Sequence, residues 1–301
     1  MKLLHFSDIH LWRRAFDWSD PVFKRWLGLA NLLLRRGRKF PRALAREVVE
    51  HIAAAEADAV IFSGDMTTTA LRAEFEDVRD LFVPLVRKWG ERFIILPGNH
   101  DRYTRRTVAR EYYERQFPSA RFADPLRPMQ KVALNRSLML LSFDCSVPRM
   151  LTSRGRVTPT LARALDEELQ RQEQAGVAVV LIGHYPYAAP PGMTIKAEHR
   201  LEGDALLAEV VARRKPVLYL HGHKHHRWAF HPTQTPDTLC VNAGPASCSS
   251  ADAHRRAGYL AIELDAAGRP ARVEARVAAP WREFNLWKLM AATMTGDTRA
   301  E

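Results

Sequence analysis

Apolar residues along the chain gather into short runs separated by polar, helix-patterned stretches. Leu3 to Phe6, Ala59 to Phe62, Phe93 to Leu96, Val177 to Ile182 and Val217 to Leu220 are rich in Leu, Ile, Val and Phe. Runs of that length suit strands buried on both faces. His5, inside the first run, reads as a packed core residue. Gln130 to Leu134 and Ser137 to Asp144 predict a hairpin turning at Asn135-Arg136, and three later runs predict strands at Leu239 to Asn242, Tyr259 to Glu263 and Ala271 to Val277. Helical spacing appears between the strands. Pro41 fits the first turn of a helix whose inward stripe is Leu44, Val48, Ile52 and Ala55. Further helices are predicted at Glu74 to Trp89, Thr104 to Gln116 and Thr158 to Gln174. Thr158 caps the last, Pro159 opens it, and Leu161, Leu165 and Leu169 form its stripe. The order is βαβαβα, a hairpin, βαβ, then several strands, which predicts a mixed α/β sandwich.

At 301 residues, with no internal repeat and no low-complexity linker, the simplest organisation is one large domain with a second sheet. We place it at residues 1–278, with an insertion at 11–40 and a Trp-containing tail at 279–301. Three cysteines, Cys145, Cys240 and Cys248, lack the spacing of a disulfide framework and suit a reducing cytoplasm. Ser7-Asp8 comes too early for a signal-peptide core. The longest apolar stretch with helix potential, Trp26 to Leu34, is about half of a bilayer span. These features predict a soluble cytoplasmic protein.

The charge changes this picture locally rather than globally. The formal net charge is +11, from 45 basic and 34 acidic residues, and 36 of the 45 are arginine. So general an arginine bias reads as genomic composition, and it says only that anionic partners are tolerated. The insertion is different. Pro21 to Arg46 holds eight basic residues and no acidic one, interleaved with Phe23, Trp26, Leu27, Leu29, Leu32, Leu33 and Leu34. That describes either an interfacial helix on an anionic membrane surface or an amphipathic helix packed on its own domain. Trp281, Phe284 and Trp287 with Arg282 and Lys288 form a second such segment. If either docks, the protein is peripheral on the inner face of the membrane.

Five polar blocks follow the five runs: Asp8-Ile9-His10, Gly64-Asp65, Gly98-Asn99-His100-Asp101, Gly183-His184 and Gly222-His223-Lys224-His225. Side chains at successive strand ends converge on one rim of a sheet, where open α/β sheets place their ligands. Two carboxylates, an Asn carbonyl and four imidazoles form a mixed N/O set suited to Mn, Fe or Zn. The spacings Asp8-x-His10 and His223-x-His225 place each pair on one side of an extended segment. Asp65 is suited to bridge two ions about 3.5–4 Å apart. Any single block passes as a glycine turn, a capping Asp or a surface His. Five blocks in this order do not.

The series D-x-H, G-D, G-N-H-D, G-H, G-H-x-H resembles the signature of the calcineurin-like metallophosphoesterases, over residues 1–265. The resemblance implies a four-layer α/β/β/α sandwich and two divalent metal ions, manganese foremost. It implies Asp8, His10 and His225 on one metal, Asn99, His184 and His223 on the other, and Asp65 between them. A water activated between the ions would then attack phosphorus. His100 would contact the phosphate or protonate the leaving oxygen, and Asp101 would orient His100, cap a helix over 102–110, or do both. His221 and His226 are candidates for groups behind the metal ligands, and Asp144 for the cleft wall. No P-loop and no serine-hydrolase elbow occurs in the sequence.

The resemblance leaves several substrates open. The basic, apolar insertion favours a pyrophosphate or phosphodiester in an amphiphile, such as the lipid-linked nucleotide UDP-2,3-diacylglucosamine. The chain departs from the commonest enzyme of that step, which carries Arg where this sequence has His100. A cyclic-nucleotide phosphodiesterase shares the Asn-His-Asp block. A nuclease, to which net charge lends a little weight, ranks third, because nuclease relatives usually add a substantial C-terminal capping domain and little sequence follows the last strand here; nucleic acid is not an expected partner. A non-catalytic scaffold would have lost ligands, and this chain retains the whole set. The sequence is silent on oligomeric state.

Overall fold

The short apolar runs become strands, and the fold is built from where they pair. The computed structural model describes residues 1–13, 39–122, 124–278 and 280–286. Most of the insertion, including Phe23 and Trp26 to Leu34, lies outside the described residues, as do Trp287 and Lys288.

The first half of the chain runs β1 (Lys2–Phe6), α1 (Arg42–Ala54), β2 (Ala59–Phe62), α2 (Arg72–Trp89), β3 (Phe93–Ile95), α3 (Arg105–Ala109), α4 (Tyr112–Gln116), β4 (Met129–Ala133) and β5 (Leu138–Phe143). It continues through β6 (Gly155–Arg156), α5 (Pro159–Gln174), β7 (Ala178–Ile182), β8 (Leu201–Glu202), α6 (Asp204–Arg214) and β9 (Leu218–His221). The last strands are β10 (Trp228–Phe230), β11 (Leu239–Asn242), β12 (Gly258–Leu264), β13 (Pro270–Val277) and β14 (Arg282–Asn285).

Two six-stranded sheets result. The first is ordered β14-β13-β12-β1-β2-β3 and the second β10-β11-β9-β7-β5-β4. Each has a parallel part: β1 to β2 to β3 at one end of the first, β5 to β7 to β9 to β11 through the middle of the second. Alternation along the strands of the second sheet sorts its side chains into two cores. Leu140, Val180, Ile182, Leu218 and Leu220 join a cluster that also holds Leu3, Ala59 and Ile61 of the first sheet. Leu141, Phe143, Val179, Leu181 and Tyr219 face Leu161 and Leu165 of α5 and Leu207 and Val211 of α6. On the far side, Val48 and Ile52 of α1 and Phe75 and Phe82 of α2 cover the first sheet, where the Phe82 ring meets Phe6 at 5.8 Å and Phe62 at 5.2 Å. The expected α/β/β/α layering is therefore present. Burial on both faces explains why these strands read as continuous apolar runs.

Local expectations fail where a side chain or a turn intervenes. The helix predicted at Thr104 to Gln116 is two short helices, because Glu111 turns into the left-handed region at φ 52°. Pro41 lies just ahead of α1 rather than inside its first turn. The tail expected from 279 begins as sheet: β14 pairs antiparallel with β13, from Arg282 opposite Val277 to Asn285 opposite Glu274. Trp281 stacks on His51 of α1 at 3.7 Å, and Phe284 packs against the inner core. The described part of this Trp-basic segment is thus spent on the protein itself. Among the described residues no helix is long and apolar enough to cross a membrane.

Candidate metal centre

Each of the five blocks follows its strand, but the strands belong to two sheets. Asp8 and His10 leave β1, Asp65 leaves β2, and Asn99 and His100 leave β3, all in the first sheet. His184 leaves β7, and His223 and His225 leave β9, in the second. The rim of one sheet, as the sequence suggested, is corrected to a seam between two. The seam is closed by hydrogen bonds. The His223 amide donates to the Asp8 carboxylate at 3.0 Å, and His184 Nδ1 donates to the Ser63 carbonyl at 2.8 Å.

A second correction concerns the backbone. Asp8, His10, His223 and His225 are not in an extended segment. Their φ values are 55°, 50°, 72° and 48°, and Asp65 joins them at 60°. Left-handed non-glycine residues cost on the order of 1 kcal/mol or more each. They persist here because the loops are tied down: the Asp8 amide donates to Gly64 O at 2.9 Å and the His10 amide to Asp65 O at 3.0 Å. Two glycines let the loops close. A Cβ on Gly98 would overlap the Asp65 carboxylate, and one on Gly222 would overlap Ser7 and Asp8.

Two groups of potential ligand atoms result, Asp8, His10, Asp65 and His225 in one, and Asp65, His184 and His223 in the other, with the atoms of each group within 4.8 Å of one another. At the first pole the Nε2 atoms of His10 and His225 approach to 2.8 Å. His10 Nε2 lies 3.8 Å from Asp8 and 3.7 Å from Asp65 Oδ2. At the second pole His184 Nε2 lies 3.5 Å from Asp65 Oδ1, so the two carboxylate oxygens of Asp65 face opposite poles. His223 donates through Nε2 to the His199 carbonyl at 3.0 Å, which commits that nitrogen and leaves Nδ1 for the pole.

The residues fit cations. Asp65 Oδ2, Asn99 Oδ1 and His184 Nε2 are buried without a hydrogen-bond partner. With the His184 ring neutral all three are acceptors, since its other nitrogen is the donor to Ser63. Buried acceptors without a donor are costly, and divalent ions at the two poles would satisfy them. The electrostatics agree. Burial pushes the Asp65 carboxyl up, but His184, His100 and His10 outweigh it and hold the group well below the usual carboxylate range. Burial likewise works against a charged His184, yet the facing Asp65 raises that imidazole to about 9. His223, buried beside His184, is held well below its ordinary value.

His100 stands at the edge of the first pole, its ring 4.8 Å from that of His10 and stacked on Tyr103 at 5.7 Å. Its Nδ1 donates to the Thr68 carbonyl at 2.6 Å. The orienting group is thus a backbone oxygen, which corrects the role expected of Asp101. The carboxylate of Asp101 accepts from the amides of Gly98 at 2.8 Å, Thr67 at 2.9 Å and Met66 at 3.1 Å, and from Thr67 Oγ1 at 2.8 Å. It fastens the loop carrying Asp65 to the loop carrying Asn99. Burial and the nearby Asp65 raise its own carboxyl to about 7. Nor is Asp101 the helix cap: Thr104 caps α3, its hydroxyl accepting from the Thr107 amide at 3.0 Å.

Among the remaining candidates, Asp144 pairs with buried Arg102 at 2.9 Å, and Arg102 also binds Glu114. His221 sits beside Asn242 at 3.3 Å, and His226 stacks on His254 at 5.0 Å. The groups that sequence reasoning missed are mostly main-chain carbonyls, those of Ser63, Thr68 and His199, which leave no residue-type signal. Two aromatic rings were also missed. Tyr185 lies against His184 at 5.0 Å and His223 at 4.4 Å, and Phe40 against His10 at 5.0 Å and His225 at 5.4 Å.

The sequence pattern common to calcineurin-like phosphoesterases matches residues 1–227. A cAMP/cGMP dual specificity phosphodiesterase of Mycobacterium tuberculosis is 25% identical over 201 residues, which are 67% of this chain and 58% of that protein. The chain therefore aligns with rather more than half the length of this relative. Among solved structures, a dimetal phosphatase from Danio rerio superposes with a TM-score of 0.64 at 10% identity, covering 95% of this chain and 98% of its own. GAP50, the anchor in the inner membrane complex of Plasmodium, superposes at 0.51 with 8% identity, covering 95% and 88%. At such identities the structural likeness establishes the fold.

Proposed function

We propose that this chain, which belongs to the calcineurin-like phosphoesterase family and so is a hydrolase of phosphoester bonds, cleaves phosphodiesters at a two-metal centre, with cyclic nucleotides as its leading substrate class. The observation that carries the reading is the set of buried, unpartnered acceptors on the ligand loops, Asp65 Oδ2, Asn99 Oδ1 and His184 Nε2. Asp8, His10 and His225 would hold one ion, Asn99, His184 and His223 the other, with Asp65 shared between them. Bound there, two divalent ions lower the pKa of a water towards neutrality and neutralise charge on the phosphoryl oxygens.

The chain's own residues do the rest. Asp101 keeps the two ligand loops in register. Thr68 holds the Nδ1 proton of His100, so in the imidazolium form Nε2–H is the ring position that delivers a proton to the leaving oxygen, leaving the neutral Nδ1–H imidazole behind. Likeness to the mycobacterial cAMP/cGMP phosphodiesterase supports the cyclic-nucleotide class. A lipid-linked nucleotide rests on the composition of Pro21 to Leu34, all of it outside the described residues.

One preparation tests both. Protein stripped of metal and reloaded with Mn, Fe, Co or Zn is assayed on a chromogenic phosphodiester, cyclic AMP, cyclic GMP and UDP-2,3-diacylglucosamine. Manganese is expected to give the highest turnover, with a cyclic nucleotide at the highest kcat/KM. Inactivity with all four metals on every substrate overturns the enzymatic reading. Preference for the lipid-linked nucleotide, together with salt-sensitive binding to anionic liposomes, overturns the substrate class alone.

A further inference from the structure

The two ends of the insertion meet beside the metal centre and are fastened to each other. The Trp12 indole donates to the Phe40 carbonyl at 3.0 Å, and the Ser249 amide donates to the Lys39 carbonyl at 2.8 Å. Arg13 reaches Asp77 of α2 through Nε at 2.8 Å, and Arg42 of α1 reaches the same carboxylate at 3.0 Å. Held in this way, Phe40 presents its ring to His10 at 5.0 Å and 61°, and to His225 at 5.4 Å and 79°. The side chain is only 3% exposed, yet it belongs to neither apolar core of the described residues. The ring is thus buried against two imidazoles that come from different sheets.

Side chains behind metal ligands restrict ring rotation and shield the site from water, and their loss commonly weakens metal binding by about 10- to 100-fold. His10 Nδ1 also makes a long 3.3 Å contact with the Thr67 carbonyl. We propose that Phe40 is a positioning residue for the first pole, so that occupancy of that pole, and not of the second, depends on how the insertion is anchored. The inference rests on the two-metal reading above and deepens it. The second pole has its own brace in Tyr185, a core residue adjacent in sequence to His184.

The test uses the full chain, stripped of metal and titrated with manganese alone, followed by calorimetry and elemental analysis. Wild type is expected to take up two ions per chain. Phe40→Ala should weaken one of the two sites by about tenfold or more and leave the other within about twofold. Combined with His225→Ala, the Phe40→Ala effect should vanish, and combined with His184→Ala it should persist, as coupled and uncoupled sites behave. Phe40→Leu, which refills part of the space, and Trp12→Phe, which removes the indole donor to Phe40, should move the same site by less. If Phe40→Ala melts below the assay temperature, the selective loss is read in those two milder variants. Equal weakening of both sites, or no change in either, overturns the inference. A wild-type chain that takes up no manganese overturns the two-metal reading, and this inference with it.

Discussion

The two poles of the metal centre are built from the same kinds of side chain but braced in different ways. At the second pole, His184 and His223 rest on Tyr185, which is fully buried in the core between the second sheet and its helices. At the first, His10 and His225 rest on Phe40, which arrives at the end of a long insertion and is held by hydrogen bonds from Trp12 to its own carbonyl and from Ser249 to that of Lys39. One brace is as stable as the fold. The other is as stable as a local anchor, and local anchors open more readily than cores do. A centre of this kind has one pole fixed by folding and one whose occupancy the insertion can influence.

The largest perturbation erases the contrast altogether. Asp65→Ala removes the group that faces both poles, so both ions should be lost and turnover should fall by about four decades or more, several kcal/mol of charge stabilisation going with them. Elemental analysis checks the metal, and retention of two ions would show that Asp65 does not bridge. His100→Ala should leave both poles filled while lowering kcat by about two to four decades, the scale of general acid–base catalysis. Metal loss in that variant would place His100 among the ligands.

Smaller changes separate the braces. Tyr185→Ala opens a core cavity and should cost about 3–5 kcal/mol in urea unfolding. Phe40→Ala, outside both cores, should cost about 1–3 kcal/mol. Equal losses would mean that Phe40 is ordinary core and that the contrast is false.

Acidity probes the two sheets beneath the poles. Burial, with His221 nearby, lowers the His5 imidazole to about 3, and burial lowers His221 to about 3 as well. An unfolded His titrates near 6.5, so below that pH the unfolded chain takes up protons that the folded chain refuses. The stability is present above about pH 6.5 and is lost as pH falls towards 3. His5 alone should account for about 2 kcal/mol between pH 7 and pH 5. His5→Gln should flatten that slope in melts at the two pH values, and an unchanged slope would show that His5 does not set it.

Much of this was legible beforehand because it is written in residue types. Leu3 to Phe6, Ala59 to Phe62 and Val177 to Ile182 announce buried strands by composition, and Thr158-Pro159 announces a helix start that the structure reproduces, Thr158 accepting from the Leu161 amide at 3.1 Å. The five polar blocks were visible for the same reason. Asp101 was misread because an Asp beside a His has several partners within reach, and only the folded loops decide among them.

The sequence by itself determined the succession of strands and helices along the chain, the candidate metal-binding side chains and the chemistry they suit, since ligand type and hydrophobic period are local properties. Only the tertiary structure decided that the blocks meet across two sheets, that five of these residues lie in left-handed backbone, that carbonyls of Ser63, Thr68 and His199 aim the imidazoles, and that Phe40 reaches the centre at all. Those facts depend on contacts between residues far apart in the chain and on main-chain atoms, which every residue carries alike.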